Sequence, residues 1–275
     1  MALIAITREM GSCGTEIAAR VADALSIPVA HNEIPDLVAS RWAEDKAKLV
    51  DPKAVMPTRF TWLRSWSTRV VAYIASEVLS IATTRTAVFR GWGAAQLFRK
   101  VPHALTVHIG APFKVRLERM QERTNLDKRS VERALRENDA IRGQLCYVYY
   151  GSNWRDPDEY DLELNTGQLS VDDAVEEILT LARRPTFQET PETMGTLSAL
   201  QLEALARATL YKNPATRDCR IQLKVSDDEL VLGGMVDDGG QREEVMRVLS
   251  SISPRMSITS RLRAATDYRT RESSI

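Results

Sequence analysis

The sequence predicts an α/β protein in which a parallel sheet flanked by helices is followed by a small α+β domain. Over residues 1–184, short apolar runs alternate with segments of helical period. This alternation is typical of a parallel sheet covered by helices. A polar stretch with two prolines then interrupts the pattern. We therefore expect a first domain at 1–184, a linker at 185–197, a second domain at 198–266 and a disordered tail at 267–275.

The first predicted strand is the apolar run Leu3–Ile6. A small-residue loop, Gly11, Ser12, Cys13 and Gly14, follows it, and a helix pattern begins at Glu16. Such a loop exposes backbone N–H groups that have no partner within the helix and can face an anion. The P-loop pattern GxxxxGK[ST] is matched at Gly14, but Thr15 replaces its lysine and Glu16 its hydroxyl residue. A phosphate cradle and a plain tight turn therefore both remain open.

The later elements follow from apolar period, proline and capping residues. The remaining strands of the first domain are predicted at Ile27–Ala30, Ala87–Phe89, Leu105–Ile109 and Asp161–Thr166. Its helices are predicted from His31 to about Leu49, over Phe60–Ala82, from Gly93 to Arg99, and over Pro112–Arg123, Asp127–Tyr150 and Val171–Ala182. The second domain is predicted as a helix at Leu197–Leu210, a hairpin of Arg220–Val225 with Leu230–Val236, a helix at Arg242–Ile252 and a strand at Ser257–Leu262.

The helix predicted over Asp127–Tyr150 is rich in arginine, including Arg129, Arg133, Arg136 and Arg142. One interpretation is a solvated helix face. The other is a set of guanidinium groups over phosphates, whose oxygens the planar arginine fork holds in pairs. The sequence does not decide between these interpretations.

Composition narrows the range of functions. The 37 basic residues balance the 37 acidic residues, so we expect neither a nucleic-acid surface nor a membrane surface. No stretch is apolar enough to span a membrane. The 3 cysteines are scattered and lack metal-ligand spacing, so we expect no metal bound by the chain's own residues. Scattered cysteines of this kind are typical of reduced thiols, which favours a cytoplasmic protein. The sequence leaves open whether the chain forms homo-oligomers.

Several motifs in order carry a resemblance to the cytidylate kinase-like family of P-loop proteins. They are ITREMGSCGTEIA, GWGA, HIGAPFKVRLERM and ENDAIRGQLCYVYYGSNWRDPDEYDLELNT. Asp139 and Arg142 match the family's D-x-x-R helix, and the last strand matches its closing YDLxxNT pattern. The resemblance implies a kinase that transfers the ATP γ-phosphoryl group to a nucleoside monophosphate such as CMP, with Mg²⁺.

The resemblance also implies roles for individual residues. Donor phosphates would lie at the loop, bound by Arg8, Gly11, Ser12, Cys13, Gly14, Thr15 and Glu16. Arg90 and Arg99 would approach the acceptor phosphate. Arg136 and Arg142 would clamp the transferring group, and Asp139 would fix Arg142 or a metal-bound water.

Three departures from the family pattern remove charge from this site. Thr15 replaces a basic residue, Trp92 replaces the arginine of GRGA, and His31 stands where an acidic residue is usual. Phosphoryl transfer depends on positioning and charge neutralisation, so these losses favour slower chemistry. An inactive nucleotide-sensing or interaction protein is therefore the alternative to an enzyme.

The second domain resembles a BON domain in its helix, hairpin and helix, and Gly234 matches a glycine of that pattern. A glycine at a strand position indicates that a side chain would obstruct packing there. The resemblance implies a protein or lipid partner for this domain.

Overall fold

The computed structural model describes residues 2–42, 63–226, 229–252 and 256–266, and only the backbone of residues 63–67. The predicted tail and parts of the second and third predicted helices lie outside these ranges. The strands run at β1 Leu3–Arg8, β2 Val29–Ala30, β3 Val88–Arg90, β4 Ala104–Gly110, β5 Leu162–Asn165, β6 Arg220–Ser226, β7 Glu229–Val236 and β8 Ser257–Ala264. The helices run at α1 Gly14–Leu25, α2 Ile34–Trp42, α3 Leu63–Thr84, α4 Ala94–Phe98, α5 Phe113–Thr124, α6 Lys128–Tyr150, α7 Val171–Ala182, α8 Pro191–Lys212 and α9 Gly239–Ile252.

The first 5 strands form one parallel sheet in the order β2-β3-β1-β4-β5. The prediction of a parallel sheet flanked by helices is confirmed, and β1 is its central strand. From β1 the chain passes through α1 to β2 at one edge of the sheet, returns to β3 beside β1, and then reaches β4 on the other side of β1. Loops at the carboxyl ends of β1, β3 and β4 therefore border the crevice where ligands of such sheets bind.

Alternation along the buried strands divides the sheet into two covered faces. In β1, Leu3 and Ala5 belong to one core cluster, whereas Ile4 and Ile6 belong to the other. Residues of α3, α4 and α8 cover the first face, and residues of α1 and α7 cover the second. This two-sided burial explains why β1 and β4 consist of nearly continuous apolar runs.

The segment 185–197, which we expected to be an unstructured linker, is ordered in the structure. It contains a 3-10 turn at Pro185–Phe187, and α8 then begins at Pro191. Thr190 caps that helix through a reciprocal bond with Thr193, and proline favours the first helical turn. The prediction of an unstructured linker gave too much weight to the polar composition of a segment in which a helix begins. The domain boundaries themselves stay a prediction.

The C-terminal part contains a mixed 3-stranded sheet in the order β6-β7-β8. The predicted hairpin is present, and β8 joins β7 in parallel through α9. Helix α8 connects this sheet to the rest of the molecule. Its Leu197 and Ala208 belong to the core cluster beside α3, whereas Ala206 and Leu210 belong to the cluster beneath the small sheet. The BON-like assignment of this part stays a prediction.

Candidate functional site

The loop after β1 is a tight turn that leaves the start of α1 open. Gly11 and Cys13 both have left-handed backbones, with φ of 83° and 59°. A side chain at Gly11 would meet the backbone oxygen of Arg116 at 2.9 Å, so glycine is required there. Ser12 is buried and its hydroxyl donates to the carbonyl of Glu9 at 2.8 Å. No side chain caps α1, so no side chain occupies its first N–H groups.

Three arginines from three different elements meet beside this loop, and we call Arg8, Arg90 and Arg142 the arginine cluster. Burial lowers the pKa of Arg8 to about 10, and repulsion from Arg142 and Arg90 contributes to the decrease. Burial also lowers the pKa of Arg90 and of Arg142, and in Arg142 the nearby Asp139 opposes the decrease. The like charges are therefore close enough to destabilise one another.

Within the part of the chain that the structure describes, no carboxylate lies within ion-pair distance of the arginine cluster. Arg90 donates to the hydroxyl of Thr15 at 3.0 Å, and Arg142 donates through Nε to Asn138 at 3.0 Å. Partly buried guanidinium groups whose hydrogen-bond partners are neutral are a favourable setting for an anion, because its charge would offset their repulsion. The cluster and the open start of α1 together suit phosphate oxygens.

A second set of charges lies next to the cluster, and we call Glu9, Arg116, Asp139 and Arg155 the ion-pair network. Asp139 accepts two bonds from Arg116, at 3.1 and 2.8 Å, and a third from Arg155 at 2.7 Å. Arg155 also contacts Glu9 at 2.6 Å, and Arg116 contacts Glu9 at 3.2 Å. The side chain of Arg116 is only 3% exposed, so this network fixes α5 and α6 against the loop after β1.

The network gives Asp139 hydrogen-bond partners that we did not expect. We expected its carboxylate to fix Arg142 or a metal-bound water, but in the structure it binds Arg116 and Arg155. Arg142 is held instead by Asn138 and lies over the ring of the buried Trp154, 5.9 Å from its centre. Asp139 faces Arg116 because that residue stands on α5, which packs against α6.

The other predicted site residues lie outside the arginine cluster. Arg136 pairs with Glu132 on the exposed side of α6 and lies over the ring of Phe113. Arg99 pairs with Glu159 at 2.6 Å and is half exposed. Glu16 is exposed on the first turn of α1 and lies 3.8 Å from Arg20.

The loop after β3 contains the tryptophan that replaces an expected arginine. Gly91, Trp92 and Gly93 all have left-handed backbones. The indole N–H of Trp92 donates to the carbonyl of His31 at 3.0 Å, and the imidazole of His31 bonds the carbonyl of Arg90 at 2.7 Å. Trp92 and His31 therefore join the ends of β2 and β3, where the family pattern places charged groups.

Sequence reasoning missed residues that surround the loop. Arg119 donates to the carbonyl of Thr166 at 2.7 Å, and the Thr166 hydroxyl donates to the carbonyl of Ser12 at 3.0 Å. Arg116 and Arg119 stand three positions apart on α5, so their shared face was the available signal. Arg155 follows α6 in a loop without periodic pattern, so no local signal distinguishes it.

The described residues contain no group of three or more His, Cys, Asp or Glu that could hold a metal ion. The carboxylates of Glu9 and Asp139 are occupied by Arg116 and Arg155. The protein groups present therefore suit the phosphates of a nucleotide, whereas they offer no ready set of ligands for Mg²⁺.

Comparison with known proteins shows the family. The model of the cytidylate kinase-like family matches residues 3–168, which is more than half of the chain. The chain therefore belongs to the cytidylate kinase-like family. No curated protein matches the sequence. In the part of the chain that the structure describes, no helix combines the length and the apolar character needed to cross a membrane.

Several solved structures are similar to the first part of the chain. An uncharacterized protein from Eubacterium ventriosum has 21% identity and a TM-score of 0.54, over 67% of this chain and 100% of that chain. A shikimate kinase from Bacteroides thetaiotaomicron has 13% identity and a TM-score of 0.41, over 66% of this chain and 99% of its own. A shikimate kinase from Acinetobacter baumannii in complex with shikimate has 19% identity and a TM-score of 0.38, over 66% and 92%. At 21% identity the first likeness shows the fold alone.

Proposed function

We propose that this protein binds ATP at the loop after β1 and transfers its γ-phosphoryl group to a nucleoside monophosphate such as CMP. The observation that carries this proposal is the arginine cluster, in which Arg90 and Arg142 donate to the neutral Thr15 and Asn138 and no member forms an ion pair with a carboxylate among the described residues. Loop N–H groups and Arg8 would hold the donor phosphates, and Arg90 and Arg142 would contact the transferring group. Arg136 and Arg99 would contact the substrates only after their ion pairs with Glu132 and Glu159 have broken.

The position of Arg90 supports this function despite the missing P-loop lysine. Arg90 donates to the hydroxyl of Thr15, the residue that stands at the lysine position. A cation from β3 thus reaches the place that the loop itself leaves neutral. Mg²⁺, when bound, would add further neutralisation of phosphate charge. Positioning and charge neutralisation are most of what phosphoryl transfer requires, so no general base is needed in the proposal.

A second candidate function is that of a nucleotide-sensing protein without turnover. It is favoured by Trp92, which closes on His31 where the family pattern has an arginine. In either case, we propose that residues 198–266 form a BON-like module that docks a protein or lipid partner. This module would carry the interaction role if the first domain only senses a nucleotide.

The two functions are separated by measuring binding and turnover on the same preparation. ATP binding is titrated by calorimetry, and ATP consumption is followed over a panel of nucleoside monophosphates with Mg²⁺. We expect Arg142→Ala to weaken ATP binding by about 1.5–3 kcal/mol, the scale of a hydrogen bond to a charged group. Arg129→Ala, an exposed change on the same helix, is the control and should have little effect. ATP binding without ATP consumption would favour the nucleotide-sensing function. A lack of ATP binding by the unmodified protein would refute both functions.

A further inference from the structure

One face of the small sheet is basic and exposed. Side chains along β6, β7 and β8 alternate between the core beneath α8 and α9 and the opposite face, which we call the outer face. Among the residues of these strands that belong to the outer face, one is acidic, Glu229, and it accepts a hydrogen bond from Thr259. The basic residues of the outer face are Arg220, Lys224, Arg261 and Arg263.

These cations stand in two columns, one on β6 and one on β8. The two strands flank β7, so the columns are about 9.5 Å apart. Arg220, Lys224 and Arg261 are exposed, and they form no ion pair with any residue that the structure describes. Between the columns, Met235 of β7 is 53% exposed. The outer face therefore suits a partner that brings carboxylates to both columns.

The composition of the outer face favours a protein partner. Arginine and methionine are enriched in protein–protein interfaces. None of the outer-face residues of the three strands is aromatic. Nucleic-acid bases would therefore find no ring on which to stack, and the face lacks the tryptophan or tyrosine that is typical of a membrane interface.

Helix α7 of the same chain presents carboxylates of matching spacing. Asp172 pairs with Arg20, and Asp173 belongs to the capping box of the helix. Glu176 and Glu177 are exposed and form no ion pair with a described residue. One turn separates the first two carboxylates from the last two, so they repeat about every 6 Å, close to the roughly 6.7 Å between alternate residues of a strand. We call these four residues the acidic surface of α7.

The outer face and the acidic surface lie on opposite sides of the 5-stranded sheet. Helix α7 covers one face of that sheet through Ala174 and Ile178. Helix α8 covers the other face through Leu197, and the small sheet packs on α8 through Leu210. The two surfaces of one chain therefore do not meet, and the acidic surface reaches an outer face only on a second copy.

We propose that the outer face of the small sheet binds the acidic surface of α7 of a second copy of this chain. The contact joins two different surfaces, so the copies associate head to tail and not as a symmetric pair. One sheet face and one helix form a small interface, so the association is weak and depends on concentration. The inference rests on the docking role proposed above, whose partner it names, and it does not depend on the nucleotide site.

The test is sedimentation equilibrium of the full chain at two protein and two salt concentrations. At about 0.05 M NaCl we expect the average mass to rise about 1.5-fold or more between about 5 and 200 µM. At about 0.5 M NaCl the rise should disappear, because salt screens exposed charges. The double variant Lys224→Glu, Arg261→Glu reverses one charge in each column and should abolish the rise. Arg129→Glu, Arg133→Glu is the control, because it makes the same charge change at exposed positions of α6 and should leave the rise intact.

A variant of the acidic surface provides an independent arm. Glu176→Lys, Glu177→Lys should also abolish the association, and it gives the answer if the sheet variant does not fold. Equal amounts of the sheet variant and the helix variant should associate when mixed, because each acidic surface then meets a basic one again. A mixture that stays monomeric would overturn the proposal.

The remaining outcomes also decide the proposal. A chain that stays monomeric under all four conditions overturns it, and so does an association that the α6 control lowers as much as the sheet variant does. A monomeric chain that binds phosphatidylserine vesicles overturns the contact between copies and leaves the docking role with a lipid partner. ATP binding, measured by calorimetry, should be the same in the sheet variant and in the unmodified protein. A failure of ATP binding would therefore be distinguished from a failure of the contact between copies.

Discussion

Removing the carboxylate of Asp139 should destabilise the protein far more than an exposed charge change on the same helix. Asp139 accepts two bonds from Arg116 and one from Arg155, and its side chain is 12% exposed. In Asp139→Ala, the buried guanidinium of Arg116 keeps Glu9 as its only charged partner in the network. Breaking a buried ion pair from one side costs about 3–5 kcal/mol. Because Glu9 remains, we expect the lower end, about 3 kcal/mol.

The measurement is urea unfolding of the variant and of the unmodified protein. We expect a lower midpoint and an unchanged slope, since the native surface is the same. Glu132→Ala is the matched control, because it breaks the exposed pair with Arg136 on the same helix, about two turns before Asp139. A pair of that kind contributes about 0.3–0.5 kcal/mol. A cost below about 1 kcal/mol for Asp139→Ala would contradict the reasoning and would make Asp139 available for a role with substrate.

Two further predictions concern the loop after β3 and the small sheet. Burial, followed by repulsion from Arg90, lowers the pKa of His31 below its usual 6.5. The unfolded chain therefore binds more protons below pH 6.5, and the contribution of neutral His31 to stability is lost as pH falls below that value. Melting temperatures between about pH 7.5 and 5.5 should fall less steeply for His31→Gln, and equal slopes would be inconsistent with this role. Gly234→Ala should cost more than about 2 kcal/mol in unfolding free energy, because φ is 122° and the added carbon would collide with the carbonyl oxygen of Arg220. Gly233→Ala, whose added carbon would meet only the Gln222 side chain at 3.6 Å, is the control, and equal costs for the two variants would count against the strain at Gly234.

The fold of the first part could be predicted because its signals are local. Buried parallel strands such as β1 and β4 are apolar runs, and the helices between them have amphipathic stripes. The start of α8 was missed because a polar composition was given more weight than the capping pair Thr190 and Thr193. That pair, with Pro191 between its members, was visible in the sequence.

The site was only partly predictable, since its geometry depends on long-range pairing. The family motifs led us to predict Arg8, Arg90 and Arg142 as site residues, and in the structure these three lie near one another. The sequence could not reveal that Asp139 faces Arg116, because the two stand on different helices. The pairing of Arg99 with Glu159 was equally hidden, since 60 residues separate them.

The position of α8 has a thermodynamic consequence. One helix supplies Leu197 and Ala208 to the core beside α3, and Ala206 and Leu210 to the core of the small sheet. Unfolding of this helix would expose apolar surface on both sides at once, so each half of the molecule depends on the other for part of its stability. A ligand that stabilises one half would raise the free energy needed to open the other, without any change in shape between them.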